Sequence, residues 1–204
     1  MKIRNGFVSN SSSSSFLIVF KRVEVFNKFK LFNGYEKFIN ELRSYNKSDV
    51  KNFFYYTLLS SFDDEMYSSK EDISAFQIEM QSVSSLRFSI ESILRKKIDD
   101  LKFKGAFDLS EKIYQKKKEL ELSGMKGFEI TNLLRRSFMN SVTKECKKIS
   151  NVMLEELEKS DFNFCVLNYE DDSEFGSYME HEFMPMVSMN VDNDDFIIIR
   201  KMNH

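Results

Sequence analysis

Strand-like and helix-like hydrophobic patterns occupy separate stretches of this chain, and that segregation most constrains its fold. Phe16-Leu17-Ile18-Val19-Phe20 is a continuous apolar run of aromatic and β-branched residues. Such a run reads as a buried strand. The residues around Val23 and Val25 extend it or form its hairpin partner, and Asn33-Gly34 is a turn signal. The strand pattern returns only near the other end. Phe162–Tyr169 is a strand candidate, and a short helix follows from about Ser173 to Phe183, with Pro185 ending it. Val187–Val191 and Phe196–Arg200 then read as strands on either side of a turn at Asp192–Asp195.

Between these ends the apolar residues recur at helical spacing. Phe38, Ile39, Leu42 and Tyr45 share one helical face. Ser48 is placed to cap a second helix, striped by Phe53, Phe54, Leu58, Phe62 and Met66. Ile73, Phe76, Met80, Val83, Ile90, Leu94 and Leu101 mark a third, with steps like those of a short coiled-coil seam. Gly105 breaks that pattern, Asp108 is a candidate cap for a helix through Leu122, and Gly124 and Gly127 form a loop. A last long helix runs from about Phe128 to Glu158, marked by Ile130, Leu133, Leu134, Phe138, Val142, Ile149, Val152, Met153 and Leu157.

The expected class is therefore α+β and mostly helical. The N-terminal strand pairs with the C-terminal strands in one small sheet. Residues 1–32 and 161–204 form the base, residues 33–160 are a large helical insertion, and the whole is a single domain. The chain has 204 residues, enough to bury a core. Its 21 Phe beside one Pro and six Gly exclude a disordered or fibrous chain. Alanine occurs only at Ala75 and Ala106, and the bias toward Lys, Asn, Ile, Phe and Ser suggests an A+T-rich genome. No apolar run reaches the roughly 18–20 residues that span a bilayer. Lys2 and Arg4 precede no secretory apolar core, and position 2 lacks the Gly that myristoylation needs. Cys146 and Cys165 are too few for a disulfide framework and read as buried thiols in a reducing cytoplasm.

The net charge of −2 hides an uneven distribution. Residues 161–204 carry ten acidic side chains against Arg200 and Lys201; residues 87–148 carry sixteen basic and nine acidic. Charge runs of this kind ordinarily face water. The basic groups Arg95-Lys96-Lys97, Lys116-Lys117-Lys118, Arg135-Arg136 and Lys147-Lys148 also raise a nucleic-acid reading, although Asp and Glu interrupt them.

Residues 2–16, Lys-Ile-Arg-Asn-Gly-Phe-Val-Ser-Asn followed by five serines and Phe16, make the most distinctive string. It resembles an N-terminal element that recurs in bacteriophage and bacterial proteins, in which Phe-Val-Ser-Asn and a serine run lead into a strand. Tyr178-Met179-Glu180-His181 and the final His204 are also similar to some of these proteins. The resemblance implies a phage or phage-related origin, with the host cytoplasm or the virion as the setting. It implies no activity and transfers no catalytic residue. Physically, Phe7-Val8 and Phe16-Leu17 bracket the tract and hold it as an ordered loop. Ser9, Asn10, Ser11, Ser12 and Ser13 are the candidate binding residues. Their hydroxyls can close tight turns, their N–H groups can form an anion site, and an exposed serine can be modified. A P-loop pattern is missing.

Both histidines, His181 and His204, fall in the acidic tail region. Glu174, Ser177 and His181 recur at spacings of three and four, so a helix places a carboxylate and an imidazole on one stripe. Such a stripe can share a metal ion or a proton. Glu174, Glu180, His181 and His204 are thus the candidate catalytic residues, with Asp171 and Asp172 able to complete the set. Against this, Asp171 and Glu174 match a capping-box-like spacing, which occupies Glu174 structurally. The sequence has no His-Glu-x-x-His, zinc-ligand, Gly-x-Ser-x-Gly or dinucleotide pattern, and a Cys146/His181 dyad has no spacing to support it. No metal or cofactor is expected from these motifs. The leading expectation is a non-enzymatic phage protein that binds a host or phage protein or belongs to a virion or phage assembly, with the helical insertion as its recognition surface and the sheet as its base; the methionines and aromatic stripes read as core packing. The alternatives are a metal-dependent or acid/base enzyme built on the Glu/His cluster, and a nucleic-acid-binding protein.

Overall fold

The computed structural model describes residues 13–44, 46–67, 104–170, 173–189 and 196–203. The helix expected between Ile73 and Leu101 lies outside them. The chain is α+β, and it divides into two compact units: residues 1–46 with 162–204, and residues 47–161.

The first unit holds a three-stranded antiparallel sheet in the order β2-β1-β3. Strand β1 is Ser13–Phe20, β2 is Asn163–Glu170 and β3 is Phe196–Asn203. The N-terminal strand is central: Ile18 lies opposite Cys165 on one side and Ile198 on the other. Phe16 to Phe20 are apolar without alternation because the side chains on both faces of the strand are buried. A strand covered on both faces buries every side chain, and all five are buried. Phe16, Ile18 and Phe20 share one face with Leu167 and Cys165, and that face carries the core of the unit.

Val23 and Val25 do not continue the strand. They open a 3₁₀ helix, Val23–Phe29, that turns Phe26 and Phe29 into the core. Helix α1, Tyr35–Leu42, adds Phe38, Ile39 and Leu42. This helix, expected in the insertion, belongs to the sheet's own unit. Edge-on aromatic contacts link Phe20, Phe26 and Phe38 in series, at centroid distances of 5.5 and 5.2 Å.

Pro185 does not stop the segment after β2. Helix α5, Glu174–Tyr178, passes into a π turn, Met179–Phe183, in which the Met184 N–H donates to the Met179 carbonyl. Helix α6, Met184–Met189, then continues. A proline ring clashes with the carbonyl four residues back in a tight helix, and the wider turn just ahead relieves that contact. Val187 is therefore helical, not the start of a strand.

The second unit contains helices α2, Lys47–Tyr67, α3, Lys104–Leu122, and α4, Phe128–Glu158. The stripe Phe53, Phe54, Leu58, Phe62 and Met66 of α2 is buried, as are Ile130, Leu134, Val142, Ile149, Met153 and Leu157 of α4; Leu133 is exposed. Ser48 lies inside the first turn of α2, not at its cap. Gly105 and Asp108 lie within α3, so Asp108 is not its cap, and Gly105 is where α4 comes close. A Cβ there would stand 2.6 Å from the Glu145 carboxylate. The turn between α3 and α4 carries Gly124 and Gly127, both with positive φ.

Candidate functional site

The serine tract enters the sheet. Ser9, Asn10, Ser11 and Ser12 lie outside the described residues, but Ser13, Ser14 and Ser15 are paired strand residues and not a loop. Alternation decides what each does. Ser14 shares the core face with Phe16, is fully buried, and donates a 2.6 Å hydrogen bond to Glu180 Oε1. Ser15 points the other way and donates to Asn168 Oδ1 of its directly paired residue on β2, at 2.7 Å. An expected anion site on the tract therefore does not extend to Ser14, whose hydroxyl is committed to a carboxylate.

That carboxylate belongs to the π turn. Met179, Glu180, Phe183 and Met184 are buried, whereas His181 and Glu182 are exposed. Glu174 is also exposed, at the start of α5. Of the candidate catalytic residues, Glu180 faces inward onto β1, whereas Glu174 and His181, which share the expected stripe, both face solvent. Asp171, Asp172 and His204 lie outside the described residues. The helix cap is Ser173, whose Oγ accepts from the Gly176 N–H at 3.0 Å, in place of the expected Asp171 box. Among the described residues, no group of three or more His, Cys, Asp or Glu side chains is placed to hold a metal ion.

The remaining nucleophile candidates are closed. Burial, with the neighbouring Glu145 carboxylate, pushes the Cys146 thiol up to about 12. Burial and Glu41 do the same to Cys165, also to about 12. Neither thiol forms an appreciable thiolate near neutral pH. Tyr169 is held protonated by burial and by its hydrogen bond to Glu41 Oε2, at 2.7 Å.

The feature that sequence reading missed is the turn leading into α1. Leu31 is 99% exposed and Phe32 45% exposed. The turn that carries them is fixed. The Lys30 N–H donates to the Asn27 carbonyl, Phe32 to Phe29, and Tyr35 to Phe32, at 3.0–3.3 Å. Phe29 and Tyr35, on either side, are buried in the core. The Tyr35 hydroxyl donates to Asn27 Oδ1 at 2.9 Å, and the Phe32 ring lies 6.4 Å from Phe29. The tip is therefore an ordered projection with a fully exposed leucine. Lys28 and Lys30 are exposed beside it. The signal was present in the sequence: Lys30-Leu31-Phe32-Asn33-Gly34 puts two large apolar residues directly before a turn glycine, with no helical partner for them.

The same unit contains a cavity of about 340 Å³ bounded by Phe20, Leu42, Phe162 and Phe164, with Arg43 and Asn163 as its polar groups. The Asn163 amide already donates to the Lys21 carbonyl at 2.9 Å.

No helix among the described residues is long and apolar enough to cross a membrane. No family model, curated protein or solved structure matches the chain.

Proposed function

We propose that this chain is a non-enzymatic binding protein whose Leu31–Phe32 tip inserts into an apolar hollow on an acidic protein partner. The observation that carries this reading is the ordered, core-anchored turn that holds Leu31 in solvent. A leucine held out of the core gains nothing from folding, and its burial against a partner is worth about 1.5–3 kcal/mol. A rigid turn has little conformational entropy left to lose on binding. Lys28 and Lys30 bias the choice toward a partner of negative charge. The resemblance of residues 2–16 to phage proteins supports a phage setting, with a host or virion protein as the partner.

The test is to place a photo-reactive amino acid at Leu31, identify the crosslinked protein, purify it, and measure its affinity directly. The double substitution L31S/F32S should weaken that purified complex by roughly ten- to one-hundred-fold, as expected for one or two lost apolar anchors. K28E/K30E should slow association and reduce its salt dependence. A partner that binds wild type and L31S/F32S equally would overturn the proposal.

A further inference from the structure

The second unit carries a different surface, on the long helix α4. The buried residues Val142, Cys146, Ile149 and Met153 recur along one side of it. At 3.6 residues per turn, the opposite side is occupied by Arg136, Asn140, Lys144 and Lys147, spaced four, four and three apart. Ser137, Lys148 and Asn151 flank that line. All seven are exposed. Between Ile130 and Leu154 the only acidic residue on the helix is Glu145, and the exposed Glu129 and Glu155 bound that segment at its two ends. Glu145 is not on this line: it lies against Gly105 of α3 and accepts from Lys148 at 2.9 Å. Arg135 is paired with Asp63, Lys116 with Glu119, and Lys47 with Glu158.

An amphipathic helix needs a polar outer face, but it does not need one of a single sign. Mixed charge would stabilise the helix better, because Glu–Lys pairs four apart add to it and like charges subtract. Here Arg136, Lys144 and Lys147 run for about 16 Å along the axis, at 1.5 Å per residue, with Asn and Ser between them and no carboxylate. Amide and hydroxyl groups between cations are the set that bonds phosphate oxygens and sugars.

We infer that this outer face of α4 binds the phosphodiester backbone of nucleic acid, through Arg136, Lys144, Lys147 and Lys148, without base specificity. The inference stands apart from the Leu31–Phe32 tip and does not depend on it.

The test is fluorescence anisotropy of the intact protein with labelled single-stranded DNA, duplex DNA and single-stranded RNA of mixed sequence, at 50 and 200 mM salt. Three or four phosphate contacts predict a roughly 40- to 150-fold loss of duplex affinity across that range. The variant R136Q/K144Q/K147Q/K148Q should lose at least about tenfold in affinity at the lower salt, and its salt dependence should flatten. Glutamine keeps the helix propensity of the original residues, and an unchanged melting curve checks the fold. The charge-matched control K21Q/K112Q/K118Q/K126Q removes four exposed cations from other positions and should bind as wild type does. The inference is overturned by absent binding at 50 mM salt. It also fails if the two quadruple variants weaken equally, or if polyglutamate is bound as tightly as the oligonucleotides. The three nucleic acids distinguish which polymer the face prefers.

Discussion

Replacing Gly34 with Ala tests how the first unit is closed. Gly34 has φ +82° and ψ −9°, left-handed values that cost a residue with a Cβ about 1–2 kcal/mol. A Cβ at this position would also stand 2.9 Å from Met179 Sδ and 3.4 Å from Phe175 Cε2. Met179 is fully buried in the π turn, so its sulfur has no solvent to move into. Overpacking a filled core typically costs a further 1–3 kcal/mol. The sum is about 2–5 kcal/mol, or a fall in urea midpoint of roughly 1–2.5 M at a slope near 2 kcal/mol/M. Two substitutions separate the contributions. Gly124 has φ +86° with nothing within 4 Å of a Cβ, so Gly124→Ala should show the conformational cost alone, about 1–2 kcal/mol. Asn tolerates the left-handed region, so Gly34→Asn should retain most of the packing cost. Urea titrations followed by circular dichroism give all three values. Equal costs for Gly34→Ala and Gly124→Ala would refute the claim that the π turn packs tightly against the start of α1.

Ser14→Ala removes the donor to the buried Glu180 Oε1, and leaving a buried acceptor without it costs about 1–3 kcal/mol; Ser15→Ala, at the exposed pair, should cost under about 1 kcal/mol, and thermal melts compare them. Tyr169→Phe, which deletes the bond to Glu41, should lower stability by about 1–2 kcal/mol in the same assay. Cys146 and Cys165 should resist a thiol reagent at pH 8 until urea is added, since burial moves both well above the ordinary 9.0. Because those values are raised on folding, the thiols' contribution to stability is complete below pH 9.0 and declines from there through about 12; a midpoint rising across that alkaline range would contradict the burial of both thiols.

The sheet was legible because its central strand is apolar at every position from Phe16 to Phe20, a pattern that a one-sided edge strand does not need. The run Phe162–Tyr169 supplied a partner whose alternate residues Cys165 and Leu167 meet the same core. Helix α4 was legible from end to end because its heptad-like stripe persists for 31 residues between Gly127 and Lys159. The failures share a cause: local rules were applied where tertiary contact decides. Pro185 reads as a stop only if the preceding turn is α-helical, and here a π turn makes room for its ring. Serines read as loop unless a buried carboxylate 166 positions away supplies Ser14 with an acceptor.

The acidic–histidine residues are divided by the helix itself. Spacings of three and four keep Glu174, Ser177 and His181 on one side, and Glu174 and His181 are exposed. Glu180 falls about 100° round the helix from His181, on the side of the buried Met179 and Phe183, and is carried inward to β1. It makes a structural clasp between the serine end of β1 and the helix after β2. Inserting or deleting one residue between Tyr178 and Phe183 should break that clasp. If Glu180 instead serves only as a buried residue of no consequence, a deletion that restores regular α-helical spacing would leave the melting temperature unchanged. The 2.6 Å bond from Ser14, made across the whole length of the chain, argues that it will fall by several degrees.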